Sequence, residues 1–179
     1  IVLVDKIYFR QIIFKLPSLL VAIKQILLCL LYGTSHRVEM PLVYRIFCRP
    51  GVDNVVAISP TYGMYEVCAG VNDVQYTRVT LLDDFSLDAE ALRRALPGAK
   101  VLWLCSPNNP TGAVYSKEVL EGIVEIARKH QLMIFADEIY DRLCMDGYEH
   151  VSIASLAPDL PCVTFSGLSK SHMIAGYRI

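Results

Sequence analysis

Lys170 stands in Phe165-Ser166-Gly167-Leu168-Ser169-Lys170, at the mouth of an apolar run and eight residues ahead of Arg178. Burying an ammonium is costly unless it is paired or deprotonated. A lysine so placed suits one chemistry: an amine that condenses with a carbonyl group to form a Schiff base. Three other landmarks precede it along the chain. They are Pro60-Thr61-Tyr62, Ser106-Pro107-Asn108-Asn109-Pro110-Thr111-Gly112 and Ala136-Asp137-Glu138-Ile139-Tyr140.

A phosphorylated pyridine aldehyde asks five things of a protein, and each has a candidate. Lys170 offers the amine. Asp137, after the apolar Met133-Ile134-Phe135-Ala136, offers an anion for the ring nitrogen, which keeps the ring protonated and electron-withdrawing. Asn109 and Tyr140 offer donors to a ring oxygen. Tyr62 offers a flat face for stacking. Arg178 offers a two-pronged clamp for phosphate oxygens, with the Ser169 hydroxyl beside it. Each residue alone has a plainer reading. Lys170 and Arg178 could lie on the surface, Asp137 could cap a helix, and Tyr62 could pack at a strand–helix junction. Asn108–Gly112 could be only a turn, since Asn, Pro and Gly form turns. It is their conjunction, in order, that favours the chemistry.

The elements that must position these residues follow from periodicity. Strands are expected over Asn54–Ser59, Val74–Leu81, Val101–Cys105, Leu132–Ala136 and Cys162–Phe165. Leu42–Phe47 reads as the end of a helix closed by Arg49-Pro50-Gly51, and Met64–Ala69 as another helix. In Leu87–Leu96, residues Leu87, Ala91, Leu92 and Ala95 share one helical face, with Arg93 and Arg94 outward. Ser116 can cap a helix to about Lys129 that turns Val119, Leu120, Ile123, Val124, Ile126 and Ala127 to the core. Alternating strands and helices predict an α/β fold, a mostly parallel sheet with helices on both faces. In such sheets ligands bind beyond the carboxyl ends of the strands, and Tyr62, Asn109, Asp137 and Lys170 each follow a strand.

The bulk numbers narrow the function. A chain of 179 residues is long enough for one domain with a sizeable core. Its net charge of −1 gives no broad field for nucleic acid or an anionic membrane. Six scattered cysteines (29, 48, 68, 105, 144, 162) form no CxxC pair, so neither zinc nor a redox pair is indicated, and a reducing cytoplasm is expected. The histidines (36, 130, 150, 172) lack metal spacing, so no metal is expected. Residues 12–32 are the most apolar stretch, but Lys15, Pro17, Lys24 and Gln25 interrupt it. A buried or interdomain helix from near Ser18 to Gly33 is expected there, not a membrane span. The chain begins without Met and stops soon after the lysine motif, and it reads as a fragment.

The landmarks resemble the class I/II pyridoxal-phosphate aminotransferases of fold type I, over roughly residues 42–179. Val43-Tyr44-Arg45-Ile46-Phe47, Pro50-Gly51-Val52-Asp53-Asn54 and Pro60-Thr61-Tyr62-Gly63-Met64-Tyr65, within 43–112, resemble histidinol-phosphate aminotransferase. Asp137-Glu138-Ile139-Tyr140-Asp141 and Ala157-Pro158-Asp159-Leu160, within 137–178, resemble the alanine and aspartate aminotransferase branch. The resemblance implies pyridoxal 5′-phosphate as cofactor and Lys170 as the residue that carries it and moves the substrate α-proton. Asp137 would hold the ring nitrogen, Asn109 and Tyr140 the phenolate oxygen, Tyr62 the ring face, and Ser169 and Arg178 the phosphate. It also implies amino transfer from a small-molecule donor (an amino acid, or an amino-alcohol phosphate such as histidinol phosphate) to a 2-oxo acid, in a homodimer when full length. Residues 1–41 would be an apolar segment of uncertain structure, and 42–179 a partial cofactor-binding large domain without its C-terminal small domain. Two places depart from the pattern. Gly33-Thr34-Ser35-His36-Arg37-Val38 stands where a small-residue phosphate loop is expected, and Gly167 where many relatives carry Ser or Thr. A lyase or decarboxylase on the same fold, or a non-catalytic interaction module, are the alternatives.

Overall fold

The computed structural model describes residues 2–5, 36–130 and 132–177. In order these form β1 (Val2–Asp5), α1 (His36–Phe47), β2 (Asn54–Ser59), α2 (Met64–Val71), β3 (Gln75–Thr80), α3 (Ala89–Ala95) and β4 (Ala99–Trp103). Then follow α4 (Lys117–His130), β5 (Leu132–Asp137), α5 (Ile153–Leu156), β6 (Cys162–Phe165), α6 (Leu168–Ser171) and a 3₁₀ turn (Ala175–Tyr177). The helix expected near Ser18–Gly33 and the phosphate arginine Arg178 lie outside the described residues.

The strands make one six-stranded sheet in the order β3-β2-β4-β1-β5-β6. β2 is parallel to β3 and β4, and β5 is parallel to β6. β1 runs antiparallel to both of its neighbours, β4 and β5. Those two therefore point the same way, and the carboxyl ends of β2 to β6 all reach one edge of the sheet. The expected mostly parallel α/β sheet is thus present, with one addition. Val2–Asp5 gave no strand signal in the sequence reading, yet it occupies the slot between β4 and β5.

Strand alternation divides the core into two layers, as period-2 side chains require. Val56, Ile58, Leu102, Leu104, Ile134 and Ala136 face α3, α4 and α5. Val55, Ala57, Val101, Trp103 and Phe135 face α1 and α2. Helices therefore cover both faces. In α4, Leu120, Ile123, Val124 and Ala127 are buried as expected, while Ile126 is only half-buried and lies outside the core cluster. In α3, Asp88 caps the first turn through Ala91 N, and Leu92 is buried with Leu87, Ala91 and Ala95 packed beside it. α1 runs across the expected 41/42 boundary and carries Pro41 inside it, which removes one helical hydrogen bond.

Candidate active site

The loop after β2 and the loop after β4 are tied together by one side chain. Asn108 is 3% exposed. Its Nδ2 donates to the Pro60 carbonyl and to Thr111 Oγ1, both at 2.9 Å, and its Oδ1 accepts from Thr61 Oγ1 at 2.9 Å. The turn closes through Gly112 N donating to the Asn108 carbonyl at 2.7 Å and Asn108 N donating to Ala113 O at 2.8 Å. Gly112 has φ +74°, a conformation a side chain resists. Sequence reasoning singled out Asn109, which is half-buried, and passed over Asn108. The plainer reading of 108–112 as a turn is correct in shape, and Asn108 is what anchors that turn to the Tyr62 loop.

Tyr62 is half-buried at the head of α2 and meets Tyr65 edge-on, with ring centroids 5.7 Å apart. Tyr65 stacks on Trp103 at 4.6 Å, and Trp103 on Tyr44 at 5.5 Å. The Tyr44 hydroxyl donates to the Tyr65 carbonyl at 2.6 Å. This aromatic stack is the floor on which the Tyr62 loop rests.

Asp137 ends β5, half-buried, and its Oδ1 accepts from Ile139 N at 3.2 Å. It caps a turn; no helix begins there, so the helix-cap alternative does not hold. Its side chain lies on the α1/α2 face of the sheet. Burial raises the Tyr65 hydroxyl and the Cys105 thiol, and the Asp137 charge adds to both. Because β1 intervenes, the ends of β4 and β5 stand two strand spacings apart, about 10 Å.

Lys170 lies in α6, and its Nζ sits over the Tyr140 ring, 5.6 Å from the centroid, in cation–π range. Lys170 is exposed, contrary to the buried setting inferred from its apolar approach. The reason is that β6 is an edge strand among the described residues, and its four residues are intermediate or exposed. Ser169 beside it is half-buried. The structure thus joins Lys170 to Tyr140 directly, and Tyr62 to the 108–112 turn through Thr61 and Asn108. Asn109, Asp137 and Lys170 lie at or beyond strand ends that reach the same edge of the sheet. Among the described residues no group of His, Cys, Asp and Glu could hold a metal, and no helix is long and apolar enough to cross a membrane.

The sequence profile described as "Aminotransferase class I and II" matches residues 24–179. This chain belongs to the class I and II aminotransferase family. Among its relatives, the glutamate-pyruvate aminotransferase AlaA of Escherichia coli is 45% identical over 130 residues, covering 70% of this chain and 32% of that protein. A histidinol-phosphate aminotransferase of Bacteroides fragilis is 47% identical over 111 residues, covering 61% of this chain and 31% of that protein. The chain spans about a third of the length of these curated relatives. An aminotransferase structure from E. coli is 39% identical with a TM-score of 0.71, covering 79% of this chain and 36% of that one. Cystalysin of Treponema denticola, whose structure contains a pyridoxal 5′-phosphate cofactor, is 32% identical with a TM-score of 0.71, covering 79% of this chain and 38% of that one. The fold is therefore that of the aminotransferase large domain, in part.

Proposed function

We propose that residues 42–179 are part of the cofactor-binding domain of a pyridoxal-phosphate-dependent aminotransferase, which moves an amino group from an amino acid to a 2-oxo acid. The observation that carries this reading is the shared sheet edge. β2, β4, β5 and β6 are parallel, and Tyr62, Asn109, Asp137 and Lys170 lie at or beyond their carboxyl ends, where open α/β sheets bind ligands. The donor chemistry there fits the cofactor. An exposed amine lies over a tyrosine ring, a carboxylate ends the next strand, and a half-buried aromatic ring rests on a packed aromatic floor.

Pyridoxal 5′-phosphate, when bound, supplies an aldehyde for an amine and a ring that withdraws electrons from the substrate. Lys170 would supply that amine and a base for the proton at the substrate Cα. Asp137 holds the proton on the ring nitrogen. Asn109 and Tyr140 would donate to the phenolate oxygen, Tyr62 would face the ring, and Ser169 and Arg178 would hold the phosphate. The alanine–glutamate donor class is supported by the 45% identity to AlaA over most of this chain. Histidinol phosphate is the second reading, supported by the 47% identity to the B. fragilis enzyme and the resemblance of residues 43–112. A homodimer of the full-length protein accompanies this reading. A reducing cytoplasm does too, supported by free thiols at all five cysteines described.

Borohydride reduction with the cofactor present, followed by peptide mapping, tests the site. The pyridoxyl mark is expected on Lys170 and is absent in Lys170→Ala; a mark on another lysine overturns the assignment. Amino transfer to pyruvate or 2-oxoglutarate by the full-length protein separates a transaminase from a lyase on this fold.

A further inference from the structure

Glu138 is a buried carboxylate with no role in the reading above. It is 6% exposed and points to the sheet face opposite Asp137, where its charge adds to the burial that raises the Cys162 thiol. A carboxylate there is tolerable only if well partnered. Its Oε1 accepts from Ser152 Oγ at 3.0 Å and Ile153 N at 3.2 Å. Its Oε2 lies 3.2 Å from His150 Nε2, close enough for an ion pair yet out of line for a hydrogen bond. Its own N–H donates to the Phe165 carbonyl at 2.9 Å, and its carbonyl accepts from Asp141 N at 3.0 Å.

Three chain segments therefore meet at one residue. The side chain grips the start of α5, and the N–H grips the end of β6, five residues before Lys170. The backbone on either side carries Asp137 and Tyr140. Resting on the proposed cofactor site, we propose that Glu138 is a positioning residue: it sets the Asp137–Tyr140 turn against the strand that delivers Lys170. Neighbouring residues at the end of an extended strand point to opposite faces, and the Glu138 side chain faces α5 while Asp137 faces Tyr65 and Cys105. Glu138 acts through the backbone.

Two measurements test this. The first needs no cofactor: hydrogen exchange of this chain as Glu138→Ala and Glu138→Gln. If Glu138 holds the turn, the alanine variant speeds exchange about tenfold at 138–141 and 166–170, as the loss of a buried bond would. The glutamine variant, which keeps an acceptor oxygen and so folds if the alanine variant does not, has a smaller effect in the same segments. Faster exchange confined to 150–156 overturns the proposal, because Glu138 then serves α5 alone. The second is a cycle with Tyr140→Phe, reading the cofactor concentration that half-saturates borohydride capture at Lys170. Non-additive losses are expected if Glu138 acts through the turn; additive losses, or an unchanged alanine variant, overturn it. Failure of the unsubstituted chain to capture cofactor at Lys170 instead defeats the functional reading, while the exchange result still decides the role of Glu138.

Discussion

Asn108 reaches across 48 residues of sequence to donate its side-chain amide to the Pro60 carbonyl at 2.9 Å. That bond makes the β2 and β4 loops one unit, since the same amide also engages Thr61 and Thr111. Tyr62 and Asn109 are then held by one buried group that belongs to neither position.

Asn108→Ala should lower stability by about 2–3 kcal/mol, from three lost bonds at about 1 kcal/mol each. Urea unfolding measures it. A loss below about 0.5 kcal/mol, the size of an ordinary surface change, would show that the loops are held some other way.

Trp103 is the chain's one tryptophan, 4% exposed and stacked between Tyr44 and Tyr65. Its emission should be blue-shifted and poorly quenched by acrylamide in the folded chain, and should shift red on unfolding. Tyr44→Phe removes the buried hydroxyl that donates to the Tyr65 carbonyl and should cost about 1 kcal/mol, the net worth of one hydrogen bond. Tyr65→Ala, which strips one face of the stacked Trp103, should cost about 3–5 kcal/mol, as large-to-small aromatic changes in cores do. Equal losses in the two variants would contradict the stacked floor.

Stability should fall in acid through Asp53. Its carboxyl is held below the usual carboxylate range, first by the Arg49 side chain, which donates at 3.0 and 2.9 Å, while burial works the other way. A carboxylate whose folded pKa is lowered adds stability above the unfolded value of about 3.9 and loses it as pH falls through the folded value. Asp159, at about 2 through exposed Arg128, adds an acid loss of the same sign that salt should screen. Unfolding midpoints between about pH 2 and 6 should therefore drop more steeply for the parent chain than for Asp53→Asn. Parallel profiles would remove Asp53 from the acid limb.

Cys48 is 5% exposed, and burial, helped by the Asp53 charge, pushes its thiol up to about 12. The thiolate is the reactive form. Iodoacetamide at about pH 8 should therefore label Cys48 far more slowly in the folded chain than in urea, as mapped by mass spectrometry. Equal rates would show that this side chain opens freely to solvent.

Much of the fold was legible because its signals are local. Apolar runs of strand length marked β2, β4, β5 and β6 within a few residues, and the 3.6-residue period of Leu120, Ile123, Val124 and Ala127 named the buried face of α4. Residue order alone also put Tyr62, Asn109, Asp137 and Lys170 after strands, because a chain leaving a strand must turn there. What is not local was invisible. Val2–Asp5 is only four residues, too short for a period, and joins the sheet through partners some hundred positions away.

The site divides along the same line. The sequence by itself determined which groups could do the chemistry: an amine, a carboxylate, aromatic rings and amide donors at strand ends. Only the tertiary structure decided that Asn108 is the buried amide joining two loops, that the Glu138 carboxylate is buried against the start of α5, and that Lys170 is exposed beside Tyr140. The physical reason is that chemical capacity belongs to a side chain, whereas burial and hydrogen-bond partnership belong to pairs of residues. Which pairs meet is set by the sheet order.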